Sequence, residues 1–116
     1  MTNTELIMLA AIDSRVPLKR NDREIVIGTE SVLVNLHGER VAELLSGRGE
    51  LLLDGRTQVS RKSARVLNSL LTHYTPCSIL SRDGSWYLKL KGGSTVPVSG
   101  RTVRIPVTKN CSPIKF

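Results

Sequence analysis

Ser60-Arg61-Lys62-Ser63-Ala64-Arg65-Val66-Leu67-Asn68-Ser69-Leu70-Leu71-Thr72-His73-Tyr74 is the stretch on which the fold turns, because the pattern changes period directly after it. Ala64, Leu67, Leu70 and Leu71 recur at helical intervals with Val66 on the edge of the stripe, so the spacing predicts a helix. Ser60 is a suitable N-cap, and Pro76 ends the helix near His73-Tyr74. Residues 77–82 and 85–90 then alternate, joined by Asp83-Gly84, the strongest hairpin signal in the chain. Along its second arm Trp86, Leu88 and Leu90 point one way, and Tyr87, Lys89 and Lys91 the other. That order places Trp86 in the core and Tyr87 on the surface.

Upstream, residues 24–27 and 31–36 are rich in Val and Ile, are broken by Gly28, and read as strands. His37-Gly38 is a turn. Residues 40–45 carry Val41, Leu44 and Leu45 at helical spacing, yet the segment is short and bounded by Gly38 and Gly47, which favours a strand. Ser46-Gly47-Arg48-Gly49 turns the chain into residues 50–53, and Asp54-Gly55 closes a small antiparallel meander. At the start, Thr2-x-x-Glu5 has capping-box spacing, and Leu6, Met8, Leu9, Ala10 and Ile12 predict a helix that stops at Asp13-Ser14, ahead of Pro17. Residues 15–24 are charged and read as a loop. Residues 95–98 and 102–107 alternate and are expected to pair as a further hairpin, followed by a flexible basic tail at 108–116. The expected architecture is α+β: an N-terminal helix, a meander, a central helix, then β-hairpins, in one domain over residues 1–107. With 40% hydrophobic but only 3% aromatic residues, the core must be mostly Leu, Val and Ile.

Charge is divided along the chain. Residues 1–54 hold nine acidic and six basic residues, a net of −3, whereas residues 55–116 hold eleven Lys or Arg against Asp83 alone, a net of +10. A half that basic points to a polyanionic partner, nucleic acid first and an acidic protein surface second. The longest apolar run, within residues 6–12, is too short to span a bilayer and has no basic residue ahead of it, so no membrane partner is expected and the reading is cytoplasmic. Cys77 and Cys111 form no CxxC pair and read as reduced thiols. His37 and His73 lack zinc-ligand spacing with them, and no cofactor or metal is expected.

Within the basic half, Arg61, Lys62 and Arg65 share the first turns of the predicted helix, with Arg56 just upstream. A helix N-terminus carries partial positive charge and ordinarily favours acids, so three cations there are electrostatically odd. A bound phosphate relieves the repulsion, with the Thr57 and Ser60 hydroxyls able to join. The plainer reading is a solvated basic face paired with Glu39, Glu43 or Glu50. Asn68 follows on nearly the same side, where an amide can read adenine, although such a residue more often caps a neighbouring strand. Tyr87, Lys89 and Lys91 on the hairpin extend the surface, with Tyr87 as a thin stacking platform. A winged-helix arrangement needs two helices where residues 24–54 read as strands. For catalysis, His73 and Tyr74 with Arg65 form the best acid–base set, but a lone His is more often structural. The chain is therefore read as non-enzymatic.

Residues 57–68, Thr57-Gln58-Val59-Ser60-Arg61-Lys62-Ser63-Ala64-Arg65-Val66-Leu67-Asn68, followed some twenty residues later by Gly84-Ser85-Trp86-Tyr87-Leu88, resemble short uncharacterised proteins of bacteriophages and prophages. The resemblance covers roughly residues 40–90. It departs at Arg61, which separates Ser60 from the Lys that in those proteins follows directly. It implies a small accessory gene of a mobile element and carries no activity. The expected function is thus a phage-type accessory protein that binds nucleic acid, duplex DNA favoured, in the host cytoplasm. The alternative is a protein that docks on a host or defence enzyme and modulates it. Opposite charges on the two halves also permit head-to-tail homo-oligomers.

Overall fold

A computed structural model describes residues 3–20, 22–54, 61–83, 85–98 and 101–108. Helix α1 (Asn3–Ser14) is followed by strands β1 (Leu18–Arg20), β2 (Arg23–Ile27), β3 (Ser31–Leu36), β4 (Glu39–Leu45) and β5 (Glu50–Asp54). Helix α2 (Arg61–Tyr74) leads to β6 (Ser78–Arg82), β7 (Ser85–Lys89), β8 (Thr95–Pro97) and β9 (Thr102–Pro106). The strands form two antiparallel sheets, of order β1-β2-β3-β4-β5-β9 and β6-β7-β8. The protein is α+β, with the N-terminal helix, meander and central helix in the expected order. Among the described residues no helix is long and apolar enough to cross a membrane.

Period-two alternation builds the inner face of the larger sheet. Ile25, Val34, Ala42 and Leu53 are successive cross-strand partners, and Val32, Leu44, Leu51 and Ile105 form a second row. All eight are buried. Met8, Leu9 and Ile12 of α1 and Val66, Leu67, Leu70, Leu71 and Tyr74 of α2 complete one core with them. Burying each such aliphatic side chain stabilises by about 1.5–3 kcal/mol, which offsets the entropy of ordering it. The register of β3 on β4 shifts between Val34 and Asn35, leaving Val41 as the extra residue of a bulge. Val41 and its neighbour Ala42 are both buried as a result. That break in alternation is why this strand carries helix-like spacing in the sequence.

Turns follow local chemistry. His37 and Gly38, with φ of 53° and 78°, make the two-residue link that a type I′ turn requires. Asp83, also at φ 53°, opens the β6–β7 hairpin. Helix α1 ends in a Schellman motif: Arg15 takes φ 55°, its N–H donates to Ile12 O, and Val16 N–H donates to Ala11 O.

Two expectations are corrected. The charged segment 15–24 is not wholly loop, since Leu18–Arg20 pairs with β2 as a short edge strand preceded by Pro17. Segments 95–98 and 102–107 do not pair with each other. β8 adds to β7, setting Val96 against Leu88, while β9 crosses to β5, setting Ile105 against Leu51. Each segment extends an apolar row already in place, and this outweighs the shorter loop of a local hairpin. Thr2 and residues 109–116 lie outside the described residues.

Buried charge ties the helices to the sheet. The Glu5 carboxylate of α1 accepts from Arg23 Nη2 at 2.9 Å, with the two side chains 1% and 8% exposed. Arg23 Nη1 donates to Asp22 Oδ1, also at 2.9 Å. At the far end, Tyr74 Oη donates to Asp13 Oδ1 at 2.6 Å, and His73 Nε2 lies 2.8 Å from Asp13 Oδ2, linking the C-terminal ends of α1 and α2.

Candidate nucleic-acid interface

Arg61 and Arg65 lie one turn apart on α2 and are both exposed. Ala64, Asn68, Ser69 and Thr72 continue that side of the helix, and Trp86 of β7 stands opposite. Together these seven residues line a groove of about 670 Å³. Trp86 is there because alternation in β7 aims it, with Leu88, toward α2. Leu88 is buried in the core, whereas Trp86, nearer the hairpin turn, packs on the core's rim and stays half-buried. Its carbonyl accepts from Val98 N–H at 3.1 Å, which fixes the strand beneath it. Ser69 turns its hydroxyl back onto Arg65 O at 3.0 Å.

The electrostatics of the groove are one-sided. No carboxylate is among the described residues that line it. Neither Arg61 nor Arg65 makes an ion pair with a described residue, whereas Arg23, Arg40 and Arg104 are each matched to acids. The acids named as partners for the helix cations are used elsewhere: Glu43 faces Arg40 and Glu50 faces Arg104, each at 3.5 Å. Glu39 is exposed at the start of β4.

The structure divides the other expected site residues. Lys62, one position round the helix from Arg61, is ion-paired with Asp22. Asp22 also accepts from Arg23 and lies 3.4 Å from His37 Nε2, so one carboxylate gathers three basic side chains. The hydrogen bond from Lys62 holds the Asp22 carboxyl below its ordinary range; partial burial opposes this and the Arg23 charge assists it. Lys62 therefore serves as a strut between α2 and the β1–β2 turn.

Asn68 is committed as well. Its Nδ2 donates to Ile79 O at 3.2 Å and its Oδ1 accepts from Ile79 N–H at 2.7 Å. The amide thus behaves as one more strand along the free edge of β6, satisfying backbone groups and blunting the edge. The strand-capping reading applies and the adenine-reading one does not.

Tyr87 and Lys89 point away from the groove, on the opposite face of the small sheet, where Tyr87 pairs with Leu80 and Pro97. Lys91 lies in the turn before β8. Arg56, Thr57 and Ser60 lie outside the described residues. The groove thus unites Arg61 and Arg65, excludes the hairpin cations, and adds Trp86, which the sequence assigned to the core. The available signal was position: Trp86 ends an apolar row beside the hairpin turn, where a core face meets solvent.

His73 and Tyr74 both engage Asp13, and Tyr74 is buried, so they serve as a helix–helix link. Among the described residues no group of three His, Cys, Asp or Glu is placed to hold a metal ion, and Cys77 is buried. No protein-family model, curated protein or solved structure matches this chain.

Proposed function

We propose that this protein binds nucleic acid without acting on it chemically, as a small accessory protein of a bacteriophage or prophage. The observation that carries the reading is the groove between α2 and β7, where, among the described residues, two arginines without acidic partners and an aromatic ring share a lining that holds no carboxylate. Arginine binds phosphate through a planar fork of donors, and a half of net charge +10 raises the local concentration of any polyanion.

The test is fluorescence anisotropy of labelled duplex DNA, single-stranded DNA and RNA across a salt series. Arg61→Ala/Arg65→Ala removes two phosphate contacts and should flatten the slope of log affinity against log salt by about 1.4 on single strands and about 1.8 on duplex. Lys62→Ala should leave the slope as it is, because Asp22 already neutralises that charge. An unchanged slope in the double variant removes the two arginines from the interface. Absence of binding at low salt would turn the basic surface toward a protein partner.

A further inference from the structure

We propose that the groove takes unpaired nucleotides, with a base stacked on Trp86 and flanking phosphates on Arg61 and Arg65, and not an intact duplex. This rests on the nucleic-acid reading above and names the class of strand. The surroundings of α2 and the lining of the groove carry it.

Helix α2 cannot act as a major-groove reader. Eight of its fourteen side chains are buried, and it is walled by α1 on one flank and β6 on the other. A helix is about 10–12 Å across with its side chains, about the width of the major groove, so a reading helix must stand clear of its neighbours. The two α2 side chains best suited to duplex contact beyond the arginines are spent internally, Lys62 on Asp22 and Asn68 on Ile79.

What remains open is a shallow depression. A groove of about 670 Å³ falls within the range of about 300–1,000 Å³ typical of sites for single small ligands. That is room for a nucleotide or two laid along its floor. The aromatic wall is rigid, since Trp86 packs on the core rim and its backbone is bonded to Val98. Stacking on such a ring is open to any unpaired base, whereas a paired base keeps its faces covered by its neighbours. Arg61 and Arg65 lie about 6 Å apart along the helix axis, comparable with successive phosphates on an extended strand.

The chain has a single tryptophan, so its fluorescence reports directly on this groove. Unlabelled oligothymidylate and oligouridylate should quench Trp86 as they bind, the two differing only if the sugar or the thymine methyl matters. A blunt duplex of mixed sequence at the same salt should bind more weakly and leave the emission unchanged. Trp86→Leu keeps apolar packing against the core and should weaken single-strand binding, read by anisotropy of a labelled oligonucleotide, by about 5- to 150-fold. Its melting temperature reports separately on folding, and the quenching of the unaltered protein stands without any variant. Duplex binding as tight as single-strand binding, with no quenching by either, overturns the unpaired-base inference while leaving nucleic-acid binding in place. No binding of any of the three at low salt overturns both.

Discussion

Asn68 offers the sharpest test, because its two roles predict opposite outcomes. As the lateral partner of β6 it makes two hydrogen bonds to Ile79, at 2.7 and 3.2 Å. Asn68→Ala removes both and strands the N–H and C=O of a residue only 5% exposed. Each lost bond is worth about 0.5–1.5 kcal/mol net, and a buried group left without a partner costs about 1–3 kcal/mol. Asn68 is half-buried on the groove side, so water can recover part of this, and the expected loss is about 2–3 kcal/mol. At about 4 °C per kcal/mol for a chain of this size, the midpoint of thermal unfolding should fall by about 8–12 °C. Urea unfolding followed by circular dichroism measures the free energy directly. The carboxylate introduced by Asn68→Asp keeps the acceptor for Ile79 N–H but opposes Ile79 O. That variant should therefore be unstable at neutral pH and recover as acid protonates it into a donor. A stability change below about 0.5 kcal/mol in Asn68→Ala, accompanied by weaker oligonucleotide binding, would refute the strand-holding role and restore base reading.

Two further predictions concern the charges that tie the helices to the sheet. The Asp22 carboxyl is held below its ordinary value mainly by the Lys62 hydrogen bond. A depressed folded value stabilises above the unfolded one, about 3.9, and the benefit is lost as pH falls through the folded value. Asp22→Asn should therefore be less stable than the parent at pH 7, with the difference closing in acid melts below about pH 4; a gap independent of pH would mean that the ion pair contributes nothing. In the buried Glu5–Arg23 pair, Arg23→Leu takes the guanidinium away from the Glu5 carboxylate, 1% exposed, and should cost about 3–5 kcal/mol in urea unfolding. Glu5→Leu/Arg23→Leu should recover much of that loss, and additive losses would count against burial as the cause.

The elements whose signals are local were legible before the structure. The α2 stripe at Leu67, Leu70 and Leu71, the Asp83 turn with β6 and β7, and the meander from Ile25 to Leu53 all form where period and turn chemistry agree within a dozen residues. The α+β architecture follows from that agreement. The bulge at Val41 blurred its strand because it buries two consecutive residues, and β1 was hidden because a short edge strand needs no apolar alternation. Arg61 and Arg65 were legible as an exposed basic pair because charge on a helix face is visible in sequence. The fates of Lys62, Asn68 and Trp86 were not.

By itself, then, the sequence determined which segments become helices and strands, the short edge strand β1 excepted, and that the second half is strongly basic. Only the tertiary structure decided which polar groups were left exposed. Lys62 finds Asp22 across forty positions, Asn68 finds Ile79 across eleven, and β9 leaves β8 for β5. Period and propensity act along a few residues, whereas the choice of partner minimises unpaired polar groups and exposed apolar rows over the whole chain. What survives that choice on one wall of α2 is two arginines facing a tryptophan.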